Sequence, residues 1–547
     1  MSLKPEPICP VPQETARVAK AAFPKGSTFI KMRDELGVLF QDELFAALFP
    51  KEGQPALAPW RLALVTIMQF AEGLSDRQAA DAVRGHLDWK YALSLELEDS
   101  GFDFSVLSEF RSRLITGNAE YLLFETMLNY FKQRGLVKAG GRQRTDATHV
   151  LAAVRAINRV VCVGETMRAA LNILAEIAPE WLRSFAPDEW YERYEHRVEE
   201  YRLPKEQVKR TALVETIGAD GYALLDAIYT TPDLSWLQHI AAVETLRRVW
   251  VQQFEIVEGQ AHFRANDNIP PPPKMICSPY DTEATYGRKV STWWVGYKVH
   301  LTESCDEDSP RLITHVETSR AGNGDVDVTP VIHQALKEKD LLPKEHLTDT
   351  NYAEAKQFVQ SRQQYGIDLI APTRADHKWQ AKEQQGFASS QFHIDWDTQK
   401  ASCPAGCESL SWTPALDRYD NEVIKIKFSM KDCKPCPLKE HCTQAPRRAI
   451  SVRVKEHHQA LQEARVRQKG AEFREKYRSR SGIEGTISQG VRAFGLRRSR
   501  YRGMEKTHLQ HLVTATVINL VRTLAWLDEK PLAKTRTSKF AALALVA

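Results

Sequence analysis

Three carboxylates sit where a side chain could do chemistry. Asp146 lies in "GRQRTDATHV", a short β-favouring stretch ending a polar run. Asp349 closes "EHLTD", a short strand pattern placed where an α/β sheet presents ligands beyond its carboxyl edge. Glu484 is the one acid in "YRSRSGIEGTISQGVRAFGLRRSRYRG", residues 477–503, among seven arginines. Three converging carboxylates would hold two hard divalent cations such as Mg2+ or Mn2+. Mg2+ takes oxygen ligands and keeps positions open for water and phosphate. Two such ions about 3.5–4 Å apart activate an attacking oxygen and stabilise a leaving one at a phosphodiester. Only the fold can bring the three together, because they lie far apart in the chain. Context leaves a plainer alternative open, since most of the 70 acids are solvated surface groups.

Carboxylates alone would repel DNA, so basic residues must flank them. The net charge of the 547-residue chain is only +4, yet Arg447 to Lys506 holds 17 Lys/Arg against 6 Glu. Such a block fits polyanion contact, and it equally fits a solvated helical face. The nine cysteines are also uneven. Five fall in "CPAGC" and "CKPCPLKEHC". A Cys-x2-Cys pair with two more thiols in reach suits tetrahedral Zn2+. The expected ligands are Cys403, Cys433, Cys436 and Cys442, with Cys407 spare and His441 an alternative. Such a site would staple a small β-rich piece and take no part in chemistry; partly buried, reduced thiols would give the same sequence. The clustering suits a reducing cytosol better than a disulfide scaffold. The start, "MSLKPEPICPVPQ", has no apolar core of a signal peptide. No run approaches 18 apolar residues, so no membrane span is expected.

The elements that must position these residues follow from periodicity. Residues 1–25 read as a flexible leader. From 26 to 135 the chain reads helical. Pro59 is placed for the first helical position and Gly73 for the C-terminal cap of one helix, and Ser75 with Gln78 forms a capping box for the next. Two short helices joined by a tight turn fit a DNA-reading helix-turn-helix or an ordinary bundle. Residues 136–154 give the strand of Asp146. Residues 155–274 read as long helices to about 262, then a Pro-rich linker. Residues 275–384 read strand, strand, helix, strand, helix, strand, an α/β core. Residues 385–455 hold short strands and the cysteines, 456–530 are helical, and 531–547 read as a mobile tail.

From about 30 to 525 the chain resembles bacterial DDE transposases, most closely the insertion sequence 1182 family. The likeness is carried by "EGLSDRQAADAVRGHLDWKYALSLELEDSGFDFSVLSEFRSRL", "SPYDTEATYGRK", "WWVGYKVHLTE", "LTDTNYA" and "YRSRSGIEGTISQGVRAFGLRRSRYRGMEKTHLQH". The resemblance implies an α/β ribonuclease-H-like catalytic core with a mixed sheet. It also implies a helical N-terminal DNA-binding domain, a helical insertion and a cysteine-bearing β-rich insertion. Asp146, Asp349 and Glu484 match the family's catalytic and metal-binding acids. Asp349 and Tyr352 match its Asp-x-x-Tyr. Tyr477 and Arg480 match a Tyr-x2-Arg-x3-Glu signature. That signature continues with a base seven residues after the glutamate, where this chain has Val491 and then Arg492. Expected DNA contacts are Tyr477, Arg480, Arg492, Arg497, Arg498, Arg500 and Arg502.

The function so implied is metal-dependent cleavage and transfer of double-stranded DNA at element ends. It would be carried out by a homodimer in a synaptic complex, in the bacterial cytoplasm at the nucleoid. A domesticated, inactive DNA-binding protein and a host nuclease of the same fold are the competing classes. Three glycines, Gly482, Gly485 and Gly490, work against the Glu484 helix, since each costs roughly 1 kcal/mol against Ala. Close approach of DNA or of a strand would offset that cost.

Overall fold

The computed structural model describes residues 2–5, 7–289, 291–376, 378–382, 386–531, 540 and 543. The tail beyond 531, expected to be mobile, lies outside the described residues apart from Phe540 and Leu543.

The N-terminal helices include α1 (Pro59–Glu72), α2 (Asp76–Gly85), α3 (Ser105–Thr116) and α4 (Leu122–Gln133). Pro59 opens α1, Gly73 closes it at φ 71°, and the Ser75–Gln78 capping box starts α2. The leader is not loose throughout. Gln13–Ala22 is a helix with Ala19 fully buried, and Thr15 donates to the Leu95 carbonyl at 2.8 Å. Its apolar face is short but has Ile30 and Tyr91 to pack on.

The central sheet is mixed and six-stranded. It contains β1 (Arg142–Leu151), β2 (Thr285–Lys289), β3 (Thr292–Ser304), β4 (Ile313–Arg320), β5 (Glu345–Leu347) and β6 (Asp368–Ile370). Their order is β2-β3-β1-β5-β6, with β4 also paired to β3. β3 runs antiparallel to β1, β2 and β4, whereas β1, β5 and β6 are parallel. The parallel pairs are joined through α5 (Val328–Glu338) and α6 (Ala355–Tyr365), as parallel strands require.

The C-terminal part holds α7 (Lys455–Arg467), α8 (Ala471–Arg478), α9 (Gly482–Phe494) and α10 (Met504–Leu527). α10 is buried on most faces because it packs against α1 on one side and β4 on the other. One continuous apolar core therefore joins the N-terminal helices, the sheet and α10.

Two further cores stand beside it. Residues 160–263 with Ile276 build a helical one around Trp190 and Trp250. The helical pattern expected to run to 262 stops at Gln253, and Phe254–Val257 and Gln260–Phe263 form a hairpin. Residues 392–452 build a small core with seven buried apolar residues among the described ones, and Cys403, Cys433 and Cys442 pack against it. Among the described residues no helix is long and apolar enough to cross a membrane.

Candidate active site

Register places the two aspartates. In the parallel pair, Arg144 of β1 faces Leu347 of β5. Asp146 and Asp349 each lie two residues beyond that pair, so they share a face and a level. β5 ends at Leu347, and Asp349 belongs to the following turn rather than to the strand. Its carboxylate accepts from the Asn351 backbone N–H at 2.8 Å. Both aspartates line one cavity of about 290 Å³, with Lys289, Lys298, Trp294 and Arg374 on its walls. Tyr352, which follows in "DTNY", is fully buried beneath this turn, and its hydroxyl meets His300 Nδ1 at 2.6 Å.

Asp146 is largely buried, and burial pushes its carboxyl pKa up. The Arg480 guanidinium, the Ala147 N–H hydrogen bond and the Lys289 charge oppose this, whereas the Asp349 charge adds to the rise. Arg480 Nη2 lies 2.7 Å from Asp146 Oδ2, and its Nη1 lies 3.3 Å from Glu484 Oε1. One arginine thus bridges two of the three candidate acids. Glu484 itself is exposed in the first turn of α9 and does not line the aspartate cavity. Among the described residues no group of three or more His, Cys, Asp or Glu stands close enough to hold an ion. Tyr477 stacks on Phe473 with ring centres 5.3 Å apart. Burial raises its phenol pKa, Arg480 opposes the rise, and Asp349, Asp146 and Glu484 all add to it. A turn of 3-10 helix at Ser479–Ser481 separates α8 from α9, so Tyr477, Arg480 and Glu484 do not share one unbroken helix.

What fixes α9 against β1 is a buried charge cluster that the sequence does not announce. Glu303 of β3 is fully buried and faces Arg144 in register. Its Oε1 lies 2.6 Å from Arg144 Nη2, and its Oε2 lies 2.8 Å from Arg522 Nη1 of α10. Thr486, two residues after Glu484, donates to Glu303 Oε2 at 2.5 Å. Arg144, two residues before Asp146, also donates to the Ser479 carbonyl. Gly482 is required here, because a Cβ at that position would run into the Arg144 guanidinium. Its close neighbour is an arginine, not a strand. Val491 is half-buried against the main core, whereas Arg492 is exposed. A base at 491 would have to leave water.

The other arginines divide. Arg497 Nε donates to Thr148 at 2.8 Å, and Arg500 donates to the Leu74 carbonyl and lies over the Phe70 ring. Arg492, Arg498 and Arg502 are exposed. Lys289, Lys298 and Arg374 were missed; the "YGRK" end of β2 was the available signal for the first.

All five clustered cysteines line one cavity of about 30 Å³ in the β-rich piece. Cys403 N–H donates to the Cys407 carbonyl, and Gly406 at φ 82° closes the turn between them. Burial raises the Cys442 thiol pKa.

Residues 402–524 match a family described as a transposase DDE domain, and residues 17–113 match a transposase domain described as DUF772. No curated protein matches the chain. The first match covers Glu484, the cysteines and most of α10; neither covers Asp146 or Asp349. A DDE transposase domain implies a ribonuclease-H-like fold, with which the mixed sheet agrees, and an enzyme that cuts and joins DNA. The two matches together support an insertion-sequence transposase.

Proposed function

We propose that this chain is a transposase of the insertion sequence 1182 type, which binds the terminal inverted repeats of its element, cleaves there and joins the freed ends to target DNA. The observation that carries the reading is the common level of Asp146 and Asp349 beyond the Arg144–Leu347 pair, with Arg480 bridging Asp146 to Glu484. The three acids offer only oxygen donors, and positive charge is already held between two of them by the Arg480 guanidinium. That suits a hard divalent cation, so Asp146, Asp349 and Glu484 are the residues that would hold Mg2+ or Mn2+ once Glu484, which stands outside the aspartate cavity, closes on it. When bound, the metal would activate the attacking oxygen and neutralise the leaving one.

The chain's own groups do the rest. Lys289 and Arg374 on the cavity wall hold the phosphodiester and offset the aspartate charge. Arg480 turns from the carboxylates to a phosphate when DNA arrives. In cleavage, water oxygen bonds to phosphorus, the bond to the 3′ oxygen breaks, and that oxygen leaves as a hydroxyl. In joining, this hydroxyl attacks a target phosphodiester, and one P–O bond replaces another. Two ends must be processed together, so the working unit is a homodimer on DNA in the bacterial cytoplasm, associated with the nucleoid. The exposed Arg492, Arg498 and Arg502 and the N-terminal helices supply further contacts to the duplex.

The donor chemistry of the cysteine cavity suits Zn2+, which Cys403, Cys433, Cys436 and Cys442 would hold in a structural role by closing in across that cavity.

Asp349→Asn should abolish cleavage of a terminal-repeat duplex while leaving its binding intact. Surviving cleavage would remove Asp349 from the site. Pre-cut ends should be joined to target DNA by the wild type; a chain that cuts but never joins is a nuclease.

A further inference from the structure

A second cavity lies past the end of β1. It measures about 300 Å³ and is lined by Arg155, Arg168, Arg197 and Arg502, with Glu165 the only acid among the described lining residues and Tyr280 on its wall. These residues come from separate parts of the chain, the helical insertion among them, so the cavity is a junction between the insertion and the basic C-terminal loop. The charges do not cancel. Glu165 is almost fully buried, is paired with Arg168 at 3.0 Å and accepts from Tyr280 at 2.7 Å. Arg155 is paired with Glu199. Among the described residues no carboxylate pairs with Arg197 or Arg502, and both are exposed; Arg502 lies over the Tyr280 ring at 5.4 Å. Two guanidinium groups therefore face the cavity without a counter-charge.

The cavity is tied to the candidate active site by backbone. The end of β1 is clamped by the basic loop: Leu151 N–H donates to the Arg497 carbonyl at 2.8 Å, and Ser499 N–H donates to the Leu151 carbonyl at 2.9 Å. Ala153, on the cavity wall, follows seven residues after Asp146. At about 3.3 Å per residue that is at most about 23 Å, since β1 ends at Leu151. Along B-DNA, with one base pair per 3.4 Å, the same span is at most about seven base pairs.

We propose that this cavity is a second phosphodiester-binding site, which takes a backbone phosphate of the bound duplex within about seven base pairs of the bond held at Asp146 and Asp349. The inference rests on the transposase reading and adds to it where the duplex lies. Arg197 and Arg502 supply the bidentate guanidinium contacts suited to phosphate. The Glu165–Arg168–Tyr280 cluster holds the wall in place.

The test uses the full chain and a terminal-repeat duplex. In Arg197→Ala/Arg502→Ala the slope of log affinity against log salt should fall by about two, and affinity at 0.1 M salt should drop about tenfold or more. Ethylation of one phosphate within about seven base pairs of the cleaved bond should weaken the wild type and leave the double variant unaffected. Arg197→Lys/Arg502→Lys should recover the slope. If the wild type binds and cleaves but the slope and the ethylation pattern match in the Ala variant, this site is wrong and the transposase reading stands. If the wild type binds no duplex at any salt concentration, both fall.

Discussion

At the scale of single side chains, the most constrained acid near the site is Glu303, not one of the three candidates. It is fully buried between two guanidinium groups and a threonine, each from a different element. The two arginines depend in turn on this carboxylate as their shared counter-charge. Glu303→Gln keeps the shape and removes the charge, leaving Arg144 and Arg522 without a counter-ion. Breaking a buried pair in this way costs about 3–5 kcal/mol. The urea midpoint of the variant should fall accordingly. A midpoint equal to the wild type would mean that Arg144 and Arg522 find other partners and that Glu303 does not anchor α9. No pattern in "HLTES" points to this role. An acid in an alternating strand reads as facing water, and the residues that bury it, Arg144 and Arg522, come from distant parts of the chain.

At the scale of elements, α9 forms in spite of its glycines, and the glycines differ in what they do. Gly482 gives room to Arg144, while nothing lies within 4 Å of where a Cβ at Gly485 would stand. Ala favours helix over Gly by about 1 kcal/mol. Gly485→Ala should therefore stabilise the chain by up to about that amount. Gly482→Ala should destabilise it by about 1–3 kcal/mol, the usual cost of overpacking, because Arg144 is held on both sides. Chemical denaturation of the pair gives opposite signs, and equal signs would refute the contact. The β-rich piece makes a second case. Its core of seven buried apolar residues is small, so a zinc staple should matter: Cys436→Ser should lose one zinc per chain by elemental analysis and lower the melting temperature. Wild-type protein purified without zinc and equally stable would rule this out.

The same elements show what was legible. α1 and α2 could be bounded in sequence because Pro59, Gly73 and the Ser75–Gln78 box are local signals. The hairpin after Gln253 could not be separated from the helix before it, since "VWVQQFEIV" has apolar spacing that suits either. The positive φ of Glu258 and Gly259 marks its turn, and "EG" was the one available hint. Asp146 and Asp349 were legible as acids in β-favouring stretches, but Asp146 stands in the middle of β1 and Asp349 in the turn after β5, and their common level depends on register, which only the paired strands set. Val491 was visible as a departure; its reason, a face turned to the core, was not.

At the scale of the whole molecule, the shared core is full of histidine. His300, His315, His333, His346, His508 and His511 are all buried. Five of them are joined in neutral networks: His333 to His346, His300 to Tyr352 and Ser319, and His508 and His511 to Thr318; His315 instead meets Lys339 at 3.2 Å and Glu317 at 3.4 Å. Burial pushes His300, His333 and His508 down to about 4 and His511 to about 3, and it lowers His315 and His346 well below their ordinary value. The unfolded chain protonates these rings near pH 6.5, and the folded core refuses the proton. Stability is therefore fully present above pH about 6.5 and is lost as pH falls from there towards 4. Asp146, with its raised pKa, works the other way but is one group. At 1.36 kcal/mol per unit, each of the four valued histidines costs about 2 kcal/mol at pH 5. Together they approach about 8 kcal/mol, comparable with the 5–15 kcal/mol that holds a typical domain folded. Tryptophan fluorescence should report acid unfolding between about pH 6 and 4.5, with uptake of about 5 protons from the slope of stability against pH near 5.5. A chain that stays folded until carboxylates titrate near pH 3 would show that these rings are reached by water or protonated in place, and that the histidine networks do not hold the N-terminal helices, the sheet and α10 in one acid-sensitive unit.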